Sequence, residues 1–260
     1  MRILLWMLLP FCLWGQQGYS VYQNEFTSYI LNGDQQVTKV PSDYDSLQLW
    51  LEWDLGFTPS LWADQSGNGY DAKQPTAAAQ PSLGADGIVF DSDWMRVGTV
   101  LTAGGYRFWD NESTIIVRFQ FDAATAGSNT RIAVADSNSG GIRNWIFTKN
   151  TLDSLSWTTL PTAQTPVDGL IGGPNKAVFG QWQTAVLEYN GTTKFFYLDG
   201  SLRTSTPTGG IDSNDDPPIF VGSGPGGTLP FKGSISHVLI YSRALTDAER
   251  TALVQYVENN

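Results

Sequence analysis

The sequence predicts an all-β antiparallel sandwich with one short helix closing it at the C-terminus, and three observations carry that prediction. Leu47–Asp54 (LQLWLEWD) reads as a strand and leads into an Asp/Gly/Asn-rich turn that ends at Ala72. Ile235–Val257 (ISHVLIYSRALTDAERTALVQYV) reads as a strand, a sharp corner and a capped helix. Between them lie short apolar runs broken by turn residues at the close spacing of an antiparallel sandwich, with no 20–50-residue repeat of the kind that marks a propeller or solenoid.

The elements follow in order. Gly87–Asp91 is a strand bounded by turn residues. Ser113–Asp122 alternates Ile115, Val117, Phe119 and Phe121 on one face with Arg118 and Gln120 on the other, a half-buried pattern. Arg131–Ala135, Arg143–Thr148 and Leu155–Thr158 are shorter strands. Gln181–Tyr189 and Thr193–Leu198 are joined by Asn190-Gly191, a strong hairpin signal, and Asp199-Gly200 turns the chain into Leu202–Thr204. Ile219–Val221 and Ile235–Tyr241 complete the set. Gly209–Pro218 and Gly222–Pro230 read as surface loops, where specificity often sits. Thr246 with Glu249 forms a capping box, and Ala248, Ala252, Leu253, Tyr256 and Val257 fall at helical spacing, so a helix runs to about Glu258.

Composition agrees. The chain has 260 residues, and a β-sandwich of roughly 200–250 residues is commonly a single domain. Charged residues make up only 15 %, below the roughly 25 % of an average soluble domain. The net charge of −10 argues against nucleic acid or anionic lipid as partner and is compatible with neutral sugars or cations. The single cysteine, Cys12, falls in the first apolar run, so the remainder has no disulfide, thiolate metal site or cysteine nucleophile. Met1-Arg2 followed by the apolar run Ile3–Trp14 has the design of a secretory signal over residues 1–17, with cleavage between Gly15 and Gly18; an uncleaved hydrophobic anchor is the alternative. Residues 18–45 read as an N-terminal extension and 46–260 as the domain.

These segments resemble the concanavalin A-like lectin/glucanase superfamily, in its laminin G-like branch. The residues that carry the resemblance are LQLWL, the turn Asp64–Gly69 (DQSGNG), GIVFD, the hairpin Lys194–Gly200 (KFFYLDG) and the final strand-corner-helix, in that order. The resemblance implies two curved antiparallel sheets with jelly-roll connections, a fold that carries lectins, glucanases, adhesive modules and virion parts. Glucanases of this superfamily use an E-x-D-x-E or E-x-D-x-x-E strand. Here Glu52 and Asp54 share a strand face but no second glutamate follows, and retaining hydrolysis needs a proton donor about 5–5.5 Å from the nucleophile. Both carboxylates are therefore expected to end an edge strand in solvent. A calcium site known in the superfamily uses an aspartate where this chain has Ser236.

No catalytic constellation replaces the missing acid. His237 is the only histidine, and it is expected to face outward, solvated or at an interface. There is no G-x-S-x-G elbow, P-loop or dinucleotide fingerprint. Ca²⁺ is the one cofactor with a candidate site: Asp64, Ser66, Asn68 and Asp71 resemble the first half of an EF-hand loop but lack its closing glutamate. The alternative is that they hold a tight turn. The chain has ten tryptophans. Trp50 and Trp182 lie in phase with apolar neighbours and read as core. Trp109, Trp145 and Trp157 border polar residues, so they, with Tyr106, Arg143 and Asn144, are the candidate carbohydrate platform: a ring covers a sugar's C–H face while polar groups take its hydroxyls. The reading is a non-enzymatic secreted or surface-displayed module that binds a glycan or a neighbouring surface protein, with self-association also open. The alternatives are a structural or attachment part of a virion and, behind it, a degenerate glycosidase.

Overall fold

The computed structural model describes residues 39–98, 112–136, 143–159, 169–207 and 218–260. The expected leader, most of the extension, Tyr106, Trp109 and most of the Gly209–Pro218 loop lie outside them. In chain order the strands are β1 (Leu47–Glu52), β2 (Phe57–Thr58), β3 (Leu61–Trp62), β4 (Ala72–Lys73), β5 (Ser82–Leu83), β6 (Ile88–Asp91), β7 (Met95–Val97), β8 (Ser113–Phe121), β9 (Thr130–Asp136), β10 (Arg143–Lys149), β11 (Ser154–Thr159), β12 (Gly169–Lys176), β13 (Trp182–Tyr189), β14 (Thr193–Leu198), β15 (Ser201–Pro207), β16 (Ile219–Val221) and β17 (Lys232–Tyr241), followed by α1 (Asp247–Asn259).

They form two antiparallel sheets. One has eight strands in the order β15-β14-β13-β8-β17-β6-β5, with β1 also paired to β17; the other has nine, β12-β11-β10-β9-β16-β7-β4-β3-β2. The expected strands are all present. The two-residue strands, the three-residue β7 and the glycine-rich β12 went unpredicted, because two or three residues show no period and GLIGGPNK has no side-chain alternation to read.

Alternation sets the core. Ile115, Val117, Phe119 and Phe121 point between the sheets, where they meet Trp145, Phe147, Leu155 and Trp157 of the facing sheet. A register shift between Phe147 and Thr148 opposite β9 lets the consecutive residues Ile132 and Ala133 both enter this core.

The eight-stranded sheet is also apolar on part of its outer face. Trp50, Ile116, Val186, Leu239 and Tyr241 form a second cluster there with Leu253, Val254, Tyr256 and Val257 of α1. Tyr44 joins this cluster, and the Tyr241 hydroxyl donates to the Pro41 carbonyl, so the packed unit takes in residues upstream of Ser46. Charged contacts fix the helix. Thr246 and Glu249 close the expected capping box. Arg243 holds both Glu249 oxygens, at 2.9 and 2.8 Å. Arg250 lies 3.9 Å over the Tyr197 ring and 3.3 Å from Glu188.

Two measurements test this docking. The Arg243 hydrogen bonds overcome the opposing effect of burial, and with those from Thr246 they lower the Glu249 carboxyl from 4.5 to about 2. A lowered folded-state value means that the contribution is complete above the unfolded value of 4.5 and is lost as pH falls toward 2. Glu249→Gln is expected to flatten the loss of thermal stability across that window. Thr246→Ala, which removes the cap acceptor, is expected to cost about 1 kcal/mol in denaturant unfolding.

Candidate ligand-binding groove

Beyond the end of α1, the outer face of the eight-stranded sheet bears a groove of about 690 Å³. That is within the roughly 300–1,000 Å³ typical of small-ligand sites. Strand alternation builds its floor. Ser82 pairs with Val89, Val89 with Ser234, Ser234 with Gln120, and Gln120 with Trp182, so one row of outward side chains crosses five strands. Asp91, Asp122 and Lys232 line one end. Gly233 lets two strands close here: its φ is +146°, and a Cβ would sit 2.0 Å from the Gln120 carbonyl oxygen. Lys232 Nζ contacts Asp91 at 2.5 Å. Its hydrogen bond to Asp91 and the charges of Asp91, Asp122 and Asp93 raise its pKa, so the ammonium form is favoured.

Trp182 pairs with Gln120 and ends this row next to the residues that line the groove. It is half-buried on the outer face rather than in the core, which corrects the sequence reading. The guanidinium of Arg118 lies 5.4 Å from its ring centroid and donates to Thr184 Oγ1. The ring tip reaches Gly87, where a Cβ would approach it to 2.7 Å. Trp182 was passed over because the apolar run that follows it hides the change of face. Its strand partner Gln120 was the available signal.

Among the described residues the expected aromatic platform is not assembled. Trp145 and Trp157 are 0 % exposed in the inter-sheet core. Ser156 and Thr158 beside Trp157 point the opposite way along β11, as alternation requires, and a sugar has no access to either ring. Arg143 opens β10 opposite Asp136; the side chains of Arg143 and Asn144 lie outside the described residues.

The Asp64 loop is a built turn. The Asp64 carboxylate accepts from the Trp50, Ser66 and Tyr70 amides and from Ser66 Oγ, four donors at 2.7–3.0 Å. These occupy about as many acceptor sites as a carboxylate offers. Asp71 accepts from the Asp64 amide, and the Asn68 amide bonds the Leu47 and Gln48 carbonyls. The oxygens expected for Ca²⁺ hold the backbone instead.

Glu52 and His237 also depart from expectation. Neither is solvated: Glu52 is 4 % and His237 0 % exposed, because α1 covers this part of the face. Glu52 Oε2 accepts from Trp50 Nε1 at 2.7 Å and the Tyr256 hydroxyl at 2.9 Å, and Oε1 lies 3.7 Å from His237 Nε2. Burial raises the Glu52 pKa, but the opposing interactions with His237, Tyr256 and Trp50 prevail and leave it below the ordinary value. The Ser236 hydroxyl lies 2.9 Å from His237 Nδ1. This is a buried polar joint between sheet and helix, closed to a substrate. Asp54 is exposed, as expected, but in the turn two residues beyond the end of β1.

Two stacked antiparallel sheets, with one helix on the outside, define a jelly-roll β-sandwich of the lectin type. The chain belongs to the concanavalin A-like lectin/glucanases superfamily, whose laminin G-type model matches residues 92–249. Among solved structures it is similar to the Trypanosoma rangeli sialidase (15 % identity over 81 % of this chain and 33 % of that one, TM-score 0.60). It is similar too to the binding domain of Paraclostridial Mosquitocidal Protein 1 (16 %, 83 % and 52 %, TM-score 0.60) and to the receptor binding domain of a botulinum neurotoxin C/D mosaic serotype (12 %, 81 % and 51 %, TM-score 0.60). At these identities the likeness is one of fold, and the chain spans a third of the sialidase and about half of the two toxin domains. No match is found among the curated proteins.

Trp157→Ala is expected to lower unfolding free energy by about 3–5 kcal/mol through the cavity it leaves. Tyr256→Phe, which removes one donor from a buried carboxylate, is expected to cost about 1–3 kcal/mol. Chemical denaturation of the two variants checks both.

Proposed function

We propose that this domain is a non-enzymatic binding module that takes a neutral glycan in the groove beside Trp182. The observation that carries the reading is the row Val89-Ser234-Gln120-Trp182, which sets an aliphatic patch, a hydroxyl, an amide and a half-buried indole side by side on an open face. Such a set matches the alternating C–H faces and hydroxyls of a sugar. Lys232 offsets one of the two carboxylates at the groove's end, so the site favours a neutral ligand over an anion. A neighbouring surface protein presenting such glycans fits the same reading. Two of the structural neighbours are named as binding domains, which agrees with it.

The arrangement also argues against hydrolysis. Asp91 is engaged by an ammonium group rather than held as an acid, and Glu52 is sealed beneath the helix. The location proposed is outside the cytoplasm, on the strength of the apolar segment Ile3–Trp14. Mass spectrometry of the native N-terminus on exported protein checks it, a start at residue 16–18 agreeing with secretion and an intact Met1 with the uncleaved anchor, while recovery of the chain from the cytoplasm alone overturns it.

On a glycan array the domain is expected to retain neutral oligosaccharides. Gln120→Ala and Trp182→Ala are expected to weaken calorimetric affinity about tenfold or more, with Gln120→Ala keeping the wild-type unfolding midpoint. A stable self-assembly with no glycan signal points instead to a structural role. Release of reducing sugar from a β-glucan overturns the non-enzymatic reading.

A further inference from the structure

The outer face of the nine-stranded sheet carries a second row of side chains, independent of the groove. Lys73 of β4 pairs with Arg96 of β7, Arg96 with Phe220 of β16, Phe220 with Val134 of β9, and Val134 with Ile146 of β10. Their chain neighbours Ala72, Met95, Val97, Ile219, Val221, Ala133 and Phe147 all lie in the inter-sheet core, so alternation turns this row away from it; Phe220 and Val134 are nevertheless buried, and the open, charged part of the row is Lys73 and Arg96. Trp94 stands beside it, half-buried, with its ring 5.6 Å from that of Phe220.

Arg96 is the exceptional member. Its Nε is shielded from water without a hydrogen-bond partner. Among the described residues its guanidinium has no ion pair and no ring contact. The nearby carboxylates are engaged elsewhere: Asp93 accepts from the Asp91 amide, and Asp71 serves the Asp64 amide and Lys73. A guanidinium is a fork of five donors that is always charged. With Nε shielded and without an acceptor the fork is incompletely satisfied, and an anion from outside would complete it. Lys73, one strand away, is paired with Asp71 at 3.5 Å, so among the described residues Arg96 is the member of the row whose charge is unmatched, in a chain whose net charge is −10.

We propose that Arg96, with Lys73 and Trp94, forms a site for an acidic glycan, one bearing carboxylate or sulfate groups. The guanidinium takes the anionic group through two parallel hydrogen bonds, and the indole covers the adjoining sugar face. A glycan is favoured over an acidic peptide by the position of β7, which is paired on both sides. It therefore offers an extended peptide no free backbone edge, and the side chains alone must supply recognition.

The test measures affinity of the folded domain for oligogalacturonate, dextran sulfate, unsulfated dextran and polyglutamate of matched length. The expected result is binding of one or both acidic glycans over dextran, weakened about tenfold in Arg96→Gln and to an intermediate degree in Arg96→Lys, which keeps the charge but not the fork. The same charge removed from the exposed edge strand by Arg203→Gln is expected to leave affinity unchanged. Carboxylate and sulfate ligands are told apart by which acidic glycan binds. Equal binding by wild type and Arg96→Gln, equal loss in Arg203→Gln, or dextran bound as tightly as its sulfate overturns the proposal; polyglutamate binding with the same dependence on Arg96 assigns the site to acidic peptides instead. Should Arg96→Gln fail to fold, the comparison of Arg96→Lys with Arg203→Gln decides. Neutral-sugar binding at Trp182 is read separately, so either site can fail alone.

Discussion

β17 lies at the centre of the eight-stranded sheet, with β8 along one side and β6 and β1 end to end along the other. This last strand of the domain pairs with its first, and it is buried over Ile235–Tyr241 and apolar on both faces over Val238–Tyr241. Ile235, Val238 and Ile240 fill the inter-sheet core, while Leu239 and Tyr241 enter the cluster under the helix. Pairing this strand brings together residues far apart in sequence, a loop-closure cost that the two hydrophobic faces must offset. Losing either face would release β1 and α1 with it.

The reach of α1 divides the outer face of that sheet into a closed part and an open one. Thirteen residues make a helix about 20 Å long. It covers the Glu52–His237–Tyr256 joint and stops short of the row from Val89 to Trp182. A buried joint of this type is costly if one partner is removed and adds little if all are satisfied. Its role is accordingly to set where the helix sits. The open remainder keeps the polar side chains that a covered face could not tolerate, and the groove follows from that division.

The two outer faces differ in charge. The groove mixes carboxylates with one lysine, while the row on the other sheet carries Lys73 and Arg96. One sandwich can thereby present two unlike surfaces, because outward residues that no other element covers are free of the packing constraint imposed on the inward ones.

Local pattern alone determined the sandwich, its longer strands, the Asn190-Gly191 hairpin and the capping box of α1. Each depends on a period or a turn residue within a few positions, which a sequence displays directly. The site was less legible. Polar neighbours made Trp145 and Trp157 look exposed, yet alternation puts a strand residue's neighbours on the opposite face, and only the facing sheet shows which side is the core. Asp64 presented calcium-like oxygens until the fold brought the Trp50 amide to it. Glu52 read as solvated because the helix residue that seals it, Tyr256, is some 200 positions away in sequence; for His237 the corner after β17 hid that the helix folds back over its own strand. Which face of a strand is covered, and by what, is settled by contacts between distant segments, and tertiary structure alone decided it here.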